Sequence, residues 1–598
     1  MIRLEDLITD HVLKALKELY GSELDAGQVP LQRTRKDLEG DFTIVVFPFL
    51  KASRKSPDAT AGDLGNYLCD KMDEISGFDV IKGFLNLHVK SSYWARFFSS
   101  IIKKEKFGHI EVGPDSEKFV IEYSSPNTNK PLHLGHIRNN LLGYSVSKLV
   151  EAGGKKVEMV NLVNDRGIHI CKSMVAWLKW GNGATPESRG IKGDKLVGQY
   201  YVMFDQAYRK EIKDLVGAGM SEEEAAKRSP LMHEAQEMLR KWEMNDDETV
   251  GLWEKMNTWV YDGFDETYHR LGISFDRIYY ESQTYKLGKS LVLEGLRNGV
   301  LTEKDDGSVW ADLSGDGLDQ KLLLRSDGTS VYMTQDLGTA HQRYEEYGFD
   351  KHIYVVGNEQ IYHFRVLALI LKKLGFEWAD KLYHLSYGMV ELPEGKMKSR
   401  EGKVVDADDL IDEMIENARL VSDELGKLDG FSDEEKGQIY FRIAMGALKY
   451  FILKVDPQKT MLFNPAESID FTGNTGPFIQ YTYVRIRSVE RKARERGLFE
   501  DYVFSEDSEL DPREVNLLKT LYVFPEILQE AVKELSPAML ANYVYELVKD
   551  FNNFYQHIPI LKEEDKSKRG FRLALGNFIA DHIKETMLIL GIEMPDRM

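Results

Sequence analysis

The sequence is poor in cysteine and has no long apolar run, and each shortage excludes a class of protein. Only two cysteines, Cys69 and Cys171, occur among 598 residues, so neither a disulfide framework nor a four-thiolate zinc site can form. The longest apolar stretch, 44–50, is interrupted by Pro48 and is too short to span a bilayer. The first residues carry acidic side chains and do not resemble a signal peptide. We therefore expect a cytoplasmic protein with no membrane partner.

The chain also lacks an excess of positive charge. Its 78 basic and 97 acidic residues give a net charge of −19, which argues against indiscriminate binding of nucleic acid. Any such contact must be concentrated in a local basic patch. The hydrophobic fraction of 42% and the charged fraction of 29% fit a well-cored globular protein. At about 150 residues per domain, the length predicts about three to five domains.

The clearest local pattern is a strand, a loop, a helix and a second strand. Residues 119–124 have the pattern of a buried strand, 137–152 that of a helix, and 157–163 that of a second strand. Such a unit predicts a parallel sheet with a right-handed crossover. Ligands of these sheets bind at the carboxyl ends of the strands, so we expect the chemistry in the loop 125–136.

Coarser patterns cover the rest of the chain. Strand-like runs are predicted at 42–47, 84–89, 331–333, 353–356 and 383–390. Residues 4–16 predict an amphipathic helix, 181–198 a polar surface insertion and 303–319 a hairpin insertion. From about residue 407 onward the pattern is almost wholly helical.

A motif with two histidines lies in the loop 125–136. His133-Leu134-Gly135-His136 stands directly before the predicted helix, whose free N–H groups and dipole favour a bound anion. Two imidazoles can hydrogen-bond phosphate oxygens, and the glycine lets a nucleotide approach the backbone. The alternative is that the histidines only cap the helix. The strand-loop-helix context favours the nucleotide interpretation.

A second motif follows the strand-like run 383–390. Residues 395–403 read GKMKSREGK, which places lysines on a glycine-bounded loop. Such lysines suit a triphosphate whose charge grows as pyrophosphate departs. Taken alone, the run is more often a solvated charge cluster. Its pairing with the histidine motif favours ATP chemistry.

Together the two motifs resemble the HIGH-type and KMSKS-type signatures of class I aminoacyl-tRNA synthetases, and more narrowly those of the arginyl-specific family. The similar passages are IEYSSPNTNKPLHLGHIRNNLLG (121–143), VYMTQDLGTAHQRYEEY (331–347), GMVELPEGKMKSREGKVV (388–405), GPFIQYTYVRIRS (476–488) and LGIEMPDRM (590–598). The early GDFT (40–43) and GFLNLHV (83–89) resemble the extra N-terminal domain of that family. The resemblance covers essentially the whole chain.

The resemblance implies an arginine–tRNA ligase, which activates L-arginine with ATP to arginyl-adenylate and transfers it to tRNA(Arg). A substrate guanidinium needs carboxylates placed for charge-assisted bonds. By resemblance, Glu122, Tyr332 and Asp336 hold the arginine side chain, and Asn127 and Gln360 contact its α-amino and carboxylate end. The residues alone leave alternatives open: Glu122 as a strand carboxylate facing water, Asp336 as a helix N-cap, and the two amides as turn residues.

The resemblance also implies ATP and Mg²⁺ as cofactors. The ATP contacts of the family fall on Lys130, His133, Gly135, His136, His363, Met389, Val390, Lys396, Met397 and Lys398. The implied catalytic residues are His133, His136, Lys130, Lys396 and Lys398. The lysine motif departs from the family pattern, because Lys398 and Ser399 exchange its third and fourth residue types. Which of Lys130, Lys398 and Arg400 meets the pyrophosphate therefore stays open.

A basic segment with interleaved aromatic residues is the candidate tRNA contact. Residues 477–497 contain six basic and two acidic side chains, among them Tyr481, Arg485 and Arg487. Basic charge attracts phosphates and aromatic faces stack on unpaired bases, as single-stranded loops require. The alternative is a helix with an aromatic core face and a solvated basic face.

These observations predict an α/β multidomain protein and a monomer. The predicted parts are an α/β N-terminal domain at 1–112 that contacts the tRNA elbow, a Rossmann-type catalytic domain at 113–410 with insertions near 171–250 and 280–328, and an all-helical anticodon-binding domain at 411–598. Two rivals remain. One is a nucleotidyltransferase with the same HxGH chemistry, which leaves the helical C-terminus unexplained. The other is a catalytically silent tRNA-binding relative, which the intact motif residues disfavour.

Overall fold

The chain forms two compact units in the computed structural model, which describes residues 3–35, 37–391, 405–424, 428, 430–498 and 509–598. Unit 1 comprises Met1–Phe107, Ile486–Phe524 and Glu546–His582. Unit 2 comprises Gly108–Arg485, Pro525–Tyr545 and Ile583–Met598.

Unit 1 combines an antiparallel sheet with helices from both ends of the chain. Its strands are β1 (Leu31–Arg33), β2 (Phe42–Val45), β3 (Ile75–Ile81) and β4 (Phe84–Val89), in the order β1-β2-β4-β3. Its N-terminal helices are α1 (Leu4–Tyr20), α2 (Leu50–Ser53), α3 (Pro57–Lys71) and α4 (Ser91–Ile101). From the C-terminal part come α20 (Pro512–Tyr522), most of α23 (Lys566–Ile589) and portions of α19 (Gly476–Glu495) and α22 (Pro537–His557).

Aromatic and polar contacts join these two parts of unit 1 into one core. The hydroxyl of Tyr522 donates to Glu5 at 2.6 Å and accepts from the backbone N–H of Leu4 at 3.0 Å. The rings of Phe98 and Phe571 lie 5.5 Å apart in an edge-to-face arrangement, which aromatic pairs prefer. The first helix and the strands expected near 42–47 and 84–89 are all present.

Unit 2 is built on a five-stranded parallel sheet. Its strands are β5 (Lys118–Glu122), β6 (Lys156–Val163), β7 (Arg277–Tyr280), β11 (Lys351–Gly357) and β12 (Leu382–Tyr387), in the order β12-β11-β5-β6-β7. Helix α5 (Leu134–Ala152) connects β5 to β6, as the strand-loop-helix-strand pattern predicts. The mixed α/β fold class expected from the sequence is confirmed, with β5 at the centre of the sheet.

Other elements of unit 2 lie between and after these strands. The helices are α6 (Ile168–Trp180), α7 (Pro186–Arg189), α8 (Gly193–Gly217), α9 (Glu222–Arg228), α10 (Pro230–Glu243), α11 (Asp247–Leu271), α12 (Glu281–Thr284), α13 (Leu287–Arg297), α14 (Tyr332–Tyr347), α15 (Ile361–Lys373), α16 (Ala407–Glu424), α17 (Asp433–Leu453), α18 (Pro465–Ser468) and α21 (Phe524–Glu534). The short strands are β8 (Thr302–Glu303), β9 (Val309–Ala311), β10 (Lys321–Leu324), β13 (Val390–Glu391) and β14 (Met461–Leu462). Strands β8 and β9 pair antiparallel, which confirms the hairpin expected near 303–319.

Two local predictions are wrong. The run 331–333 is not a strand, because Tyr332 begins α14, and Met333, Leu337 and Ala340 form the buried face of that helix. A short apolar run does not distinguish a strand from the start of a helix. The segment 181–198 is not all surface, because α8 begins at Gly193 and its first turns are buried. Among the described residues, no helix is long and apolar enough to cross a membrane.

Candidate active site

The histidine motif caps helix α5 and does so with both rings. Nδ1 of His133, the N-cap residue, accepts from the backbone N–H of Gly135 at 3.1 Å. Nδ1 of His136 accepts from the backbone N–H of His133 at 3.2 Å. Because each Nδ1 accepts, each ring carries its proton on Nε2 when neutral. The capping alternative is thus correct as structure, and the cap does not use the Nε2–H of either ring.

Both imidazoles are held neutral. Burial, with the nearby charge of Lys130, lowers the pKa of His133 to about 3. Burial, together with His133 and the charge of Lys130, lowers the pKa of His136 well below its usual value. Burial lowers the pKa of Lys130 as well, and no carboxylate pairs with it among the described residues. The motif therefore offers neutral N–H donors beside one unpaired cation, a combination that suits phosphate oxygens.

A cavity of about 1080 Å³ opens beside this motif at the carboxyl end of the parallel sheet. The sequence-predicted site residues that line it are Asn127, Lys130, His133, Tyr332, Asp336, Gln360 and His363. Residues from three separate predicted sets, for arginine, for its α-amino end and for ATP, therefore share one space. The position agrees with the general rule for ligand sites of parallel α/β sheets.

The acidic end of the cavity lies on helix α14. Asp336 follows Tyr332 by four residues, so both side chains lie on one face of the helix. Oδ2 of Asp336 lies 2.6 Å from Nε2 of His363. Asp336 is in the second turn of α14, so the N-cap alternative is wrong. The ring of Tyr332 is 71% exposed, which leaves its surface open to a ligand.

Glu122 ends the central strand β5 and is buried, so the alternative of a carboxylate facing water is wrong. Its Oε1 accepts from the hydroxyl of Ser125 at 2.9 Å, and its Oε2 accepts from the buried guanidinium of Arg343. Glu122 is not among the residues that line the cavity. The sequence predicts that Glu122 binds the guanidinium of the substrate. In the structure Glu122 is instead paired with the guanidinium of Arg343.

The lysine motif lies outside the described residues, but the chain on either side of it is described. Lys396, Met397, Lys398 and Arg400 all fall in 392–404. On the N-terminal side, Met389 directly precedes strand β13, which begins at Val390 and pairs with β14. On the C-terminal side, the carbonyl of Val405 accepts from the N–H of Leu134, within the histidine motif, at 3.1 Å. After the lysine motif, the chain therefore returns directly to the histidine motif.

The predicted tRNA residues lie on helix α19. In unit 2 the guanidinium of Arg485 lies over the ring of Tyr481, 4.8 Å from its centroid. In unit 1 Arg487 pairs with Glu490 at 3.1 Å and with Asp581. The segment is helical, as the alternative interpretation also required, and part of its basic charge is paired within the protein.

Two acidic residues of the site were missed by the sequence analysis. Glu281 is buried at the start of α12; burial raises its pKa to about 7, with Asp165 and Asp336 adding to the rise against Arg166. Asp406 lines the cavity, and its backbone forms an isolated antiparallel β-bridge with that of His133. Neither lies in a motif. Asp406 could have been suspected from its position just after the lysine motif, whereas nothing in the sequence around Glu281 singles it out.

Comparison with known proteins agrees with this geometry. The profile described as tRNA synthetases class I (R), catalytic domain, matches residues 98–464, and that described as DALR anticodon binding domain matches residues 479–598. An arginine–tRNA ligase of Parabacteroides distasonis is 57% identical over 595 residues, and one of Bacteroides fragilis is 56% identical over 597 residues; each alignment covers 100% of both chains. The arginyl-tRNA synthetase structure of Thermus thermophilus matches with a TM-score of 0.77 at 22% identity, covering 100% of both chains.

A parallel sheet with the HxGH motif after its central strand, joined to a helical anticodon-binding region, defines a class I tRNA synthetase. Within that class, the chain belongs to the arginine–tRNA ligase family. The resemblance inferred from the sequence motifs is thereby confirmed.

Proposed function

We propose that this chain ligates L-arginine to tRNA(Arg) in two steps. The arginine carboxylate attacks the α-phosphorus of ATP, which forms arginyl-adenylate and releases pyrophosphate. A hydroxyl of the terminal tRNA ribose then takes the arginyl group and AMP leaves. The cavity carries this proposal, because it holds His133 and Lys130 in the same space as Asp336. One space thus offers contacts for a triphosphate and for a guanidinium.

The arginine end of the site rests on carboxylates. Asp336 on α14, with Tyr332 beside it, is the cavity carboxylate that we assign to the guanidinium, whereas Asp406 lies next to His133. Glu122 contributes from strand β5, and Glu281 is a third carboxyl close to Asp336. Asn127 and Gln360 line the same cavity and are proposed to hold the α-amino and carboxylate groups. Charge-assisted bonds of this kind discriminate a guanidinium from a neutral side chain.

The phosphate end rests on neutral donors and on lysines. The Nε2–H groups of His133 and His136 would donate to phosphate oxygens of ATP, with Lys130 supplying charge. We propose that Lys396 and Lys398 join them from the lysine motif, and that Met389 and Val390 contact the adenosine. Since protein groups make no covalent bond to the substrate in this scheme, positioning and charge stabilisation account for the rate.

Magnesium enters this proposal only as part of the substrate MgATP. Among the described residues, no three His, Cys, Asp or Glu side chains are grouped so as to hold a metal ion. Mg²⁺ is commonly bound through substrate phosphates with one or two carboxylates, so a dedicated protein site is not required. We derive no step from a protein-bound metal.

The proposed partner is tRNA(Arg), read by the helical C-terminal region. The match of residues 479–598 to an anticodon-binding domain supports this assignment. Tyr481, Arg485 and Arg487 are the proposed contacts on α19, and residues 1–112 are proposed to touch the tRNA elbow. We further propose a cytoplasmic monomer, in keeping with two cysteines that form no disulfide.

The test is pyrophosphate exchange with each of the amino acids, with and without tRNA(Arg). Of the amino acids, only arginine is expected to support exchange, and tRNA(Arg) is expected to become aminoacylated with arginine. Exchange with a different amino acid would reject the specificity. A nucleotidyltransferase would release pyrophosphate without any amino acid, and a silent relative would bind tRNA without exchange.

A further inference from the structure

Arg343 is a guanidinium of the protein itself, buried beside the proposed arginine site. It is 0% exposed, and its Nη1 donates to Oε2 of Glu122. Burial is the largest influence on the pKa of Arg343 and lowers it, but Glu122, together with Tyr354 and Tyr279, outweighs burial and the pKa is raised, so the side chain stays charged. Bringing a charged pair into the interior costs free energy that well-packed apolar side chains of similar volume do not cost. Stability alone therefore does not explain the pair.

The surroundings of Arg343 satisfy only part of its hydrogen-bonding capacity. Nε and Nη2 have no hydrogen-bond partner among the described residues. The ring of Tyr279 lies over the guanidinium, 4.8 Å from the ring centroid, and Nε2 of His352 lies 3.4 Å from Nη1. Buried polar groups left without partners are rare in native proteins and call for an explanation. Among the described residues, Glu122 is the carboxylate that contacts Arg343, and Tyr354 also interacts with the guanidinium.

The contact between Arg343 and Glu122 also involves Asp336, because Arg343 and Asp336 lie on the same helix, α14. Asp336 and Arg343 lie seven residues apart on α14, which at 3.6 residues per turn places them on the same face. Asp336 reaches the cavity, while Arg343 reaches the end of strand β5. The carboxylate of Glu122 is held at both oxygens, by Arg343 and by Ser125. The ion pair therefore fixes α14 against β5 and sets the separation of the two carboxylates.

We propose that Arg343 is a positioning residue for arginine recognition: it fixes Glu122 relative to Asp336 and neutralises one of these two negative charges. The inference rests on the proposed roles of Glu122 and Asp336. Glu122, Asp336 and Arg343 together carry one negative charge, to which Glu281 adds as it ionises near pH 7. The site therefore stays negative toward the positive charge of the arginine side chain. A neutral analogue such as citrulline leaves that negative charge unpaired.

Among the described residues, three other ionisable side chains lie against this pair, and each of the three stays neutral near pH 7. His352 and Tyr354 approach from β11; burial lowers the pKa of His352 well below its usual value and raises that of Tyr354. From β7, Tyr279 has its pKa raised by burial and by its bond to Glu346. If Arg343 is removed, Glu122 becomes an unpaired buried carboxylate, whose pKa rises. Arginine recognition should then acquire a dependence on pH.

The experiment compares the full-length chain with Arg343→Met, Arg343→Lys, Glu122→Gln and the Glu122→Gln/Arg343→Met double variant. Arginine-dependent pyrophosphate exchange is measured with tRNA(Arg), with separate kcat and KM values for arginine and ATP, over a range of pH. Arg343→Met should lower kcat/KM for arginine about 100-fold at neutral pH and leave the KM for ATP within about twofold. The loss should shrink at higher pH, as Glu122 ionises. Arg343→Lys should recover part of it. The double variant should show only the pH dependence that Glu122→Gln shows, since Glu281, with a pKa of about 7, remains in both.

Arg138 supplies the matched control. Arg138 is also buried in unit 2, and its Nη2 donates to the carbonyls of Pro457 and Lys459 at 3.1 and 2.7 Å rather than to a carboxylate. Arg138→Met should lower the melting temperature without adding a new ionisation to arginine kinetics. If Arg343→Met does not fold, Arg343→Lys carries the same comparison, with a raised arginine KM at an unchanged ATP KM.

Three results would overturn the proposal. The first is normal arginine kinetics in folded Arg343→Met. The second is an equal loss for arginine and ATP with no added pH dependence. The third is a pH dependence in the double variant that exceeds that of Glu122→Gln, which would assign it to a group other than Glu122, such as His352 or Glu281. The Glu122→Gln variant tests separately whether Glu122 belongs to the arginine site at all. Normal arginine kinetics in Glu122→Gln would remove Glu122 from the site, whereas a defect there with normal Arg343 variants would reject only the positioning role.

Discussion

The site residues are either neutral hydrogen-bond donors or charged groups. The two histidines, His133 and His136, are neutral donors because they are buried and burial disfavours their charged form. The carboxylate of Asp336 is partly exposed and lies against His363. We therefore expect substitutions at the two ends of the cavity to affect different substrates.

Asp336→Asn should impair the use of arginine and leave that of ATP nearly unchanged. The amide keeps the size and can still accept from His363, but it removes the charge that a guanidinium requires. We expect a loss of about 2–4 kcal/mol in kcat/KM for arginine. Steady-state pyrophosphate exchange at varied arginine and varied ATP measures both effects.

Asp350→Asn is the matched control for that substitution. Asp350 accepts from the N–H of Lys118 at the start of β5 and does not line the cavity. Its variant should keep normal kinetics for both substrates. Normal arginine kinetics in Asp336→Asn would show that Asp336 does not bind the substrate side chain.

The neutral histidines should make the protein less stable in acid. An unfolded chain titrates its imidazoles near pH 6.5, whereas the pKa of His133 in the folded chain lies at about 3. Below about pH 6.5 the unfolded state binds protons that the folded state does not, so the free energy of unfolding falls as the pH drops. The rings are partly exposed, so we discount the effect to about 1 kcal/mol for one histidine between pH 7 and pH 5.

Urea unfolding of His136→Asn at pH 7 and pH 5 checks this expectation. The variant should lose about 1 kcal/mol less than the parent on acidification, because one proton-binding group is gone from the unfolded state. His557→Asn, at an exposed histidine on α22, should behave as the parent does. Equal losses in all three proteins would contradict a buried neutral imidazole at His136.

At the scale of elements, the contact between α5 and the end of β5 positions the histidine motif. Gly143 lies on α5 so close to the chain after β5 that a Cβ there would come 2.3 Å from Cβ of Tyr123. Tyr123 is buried and its hydroxyl donates to the carbonyl of Ser274 at 2.7 Å, so it has no room to move away. The absence of a side chain at Gly143 therefore sets how closely the helix approaches the strand.

Gly143→Ala should destabilise unit 2 by about 1–3 kcal/mol through overpacking. It should also lower the rate of pyrophosphate exchange, because His133 and His136 lie at the start of the same helix, α5. Gly251→Ala is the control: Gly251 also lies inside a helix, α11, but its Cβ would meet nothing within 4 Å. That variant should be neutral or slightly stabilising, because alanine favours a helix over glycine by about 0.5–1 kcal/mol. Thermal melting of both variants decides the point; equal midpoints would refute the close-packing argument.

At the scale of the whole molecule, activation of arginine is expected to require tRNA(Arg). The proposed ligands come from 122–136, 332–336, 360 and 396–403, which belong to separate elements, so a shift of one element relative to another would change the site. If tRNA binds best to the assembled arrangement, it shifts the population toward that state. A differential affinity on the order of 1–3 kcal/mol would account for the coupling.

Exchange is measured at saturating arginine and ATP, without tRNA, with intact tRNA and with tRNA whose terminal ribose cannot be acylated. We expect exchange only in the two samples that contain tRNA, because binding rather than acylation supplies the coupling free energy. Full exchange without tRNA would remove the coupling while leaving the assignment as an arginine enzyme intact.

The sequence by itself determined the parts of this protein whose causes are local. The β5-α5-β6 unit follows from apolar periodicity and turn chemistry, and the histidine motif at the start of α5 follows from its position between them. The joint presence of the HxGH and lysine motifs was enough to indicate the family. These features depend on residues that are neighbours along the chain, so their pattern can be read without the fold.

Only the tertiary structure decided the pairings that shape the arginine site. Glu122 and Arg343 are 221 residues apart in the chain, and Asp336 and His363 are 27 apart. Such pairs depend on strand order and helix packing, which place β5 beside α14, and periodicity carries no information about them. Glu281 was missed for the same reason, because its raised pKa follows from burial near Asp165 and Asp336 rather than from its sequence neighbours.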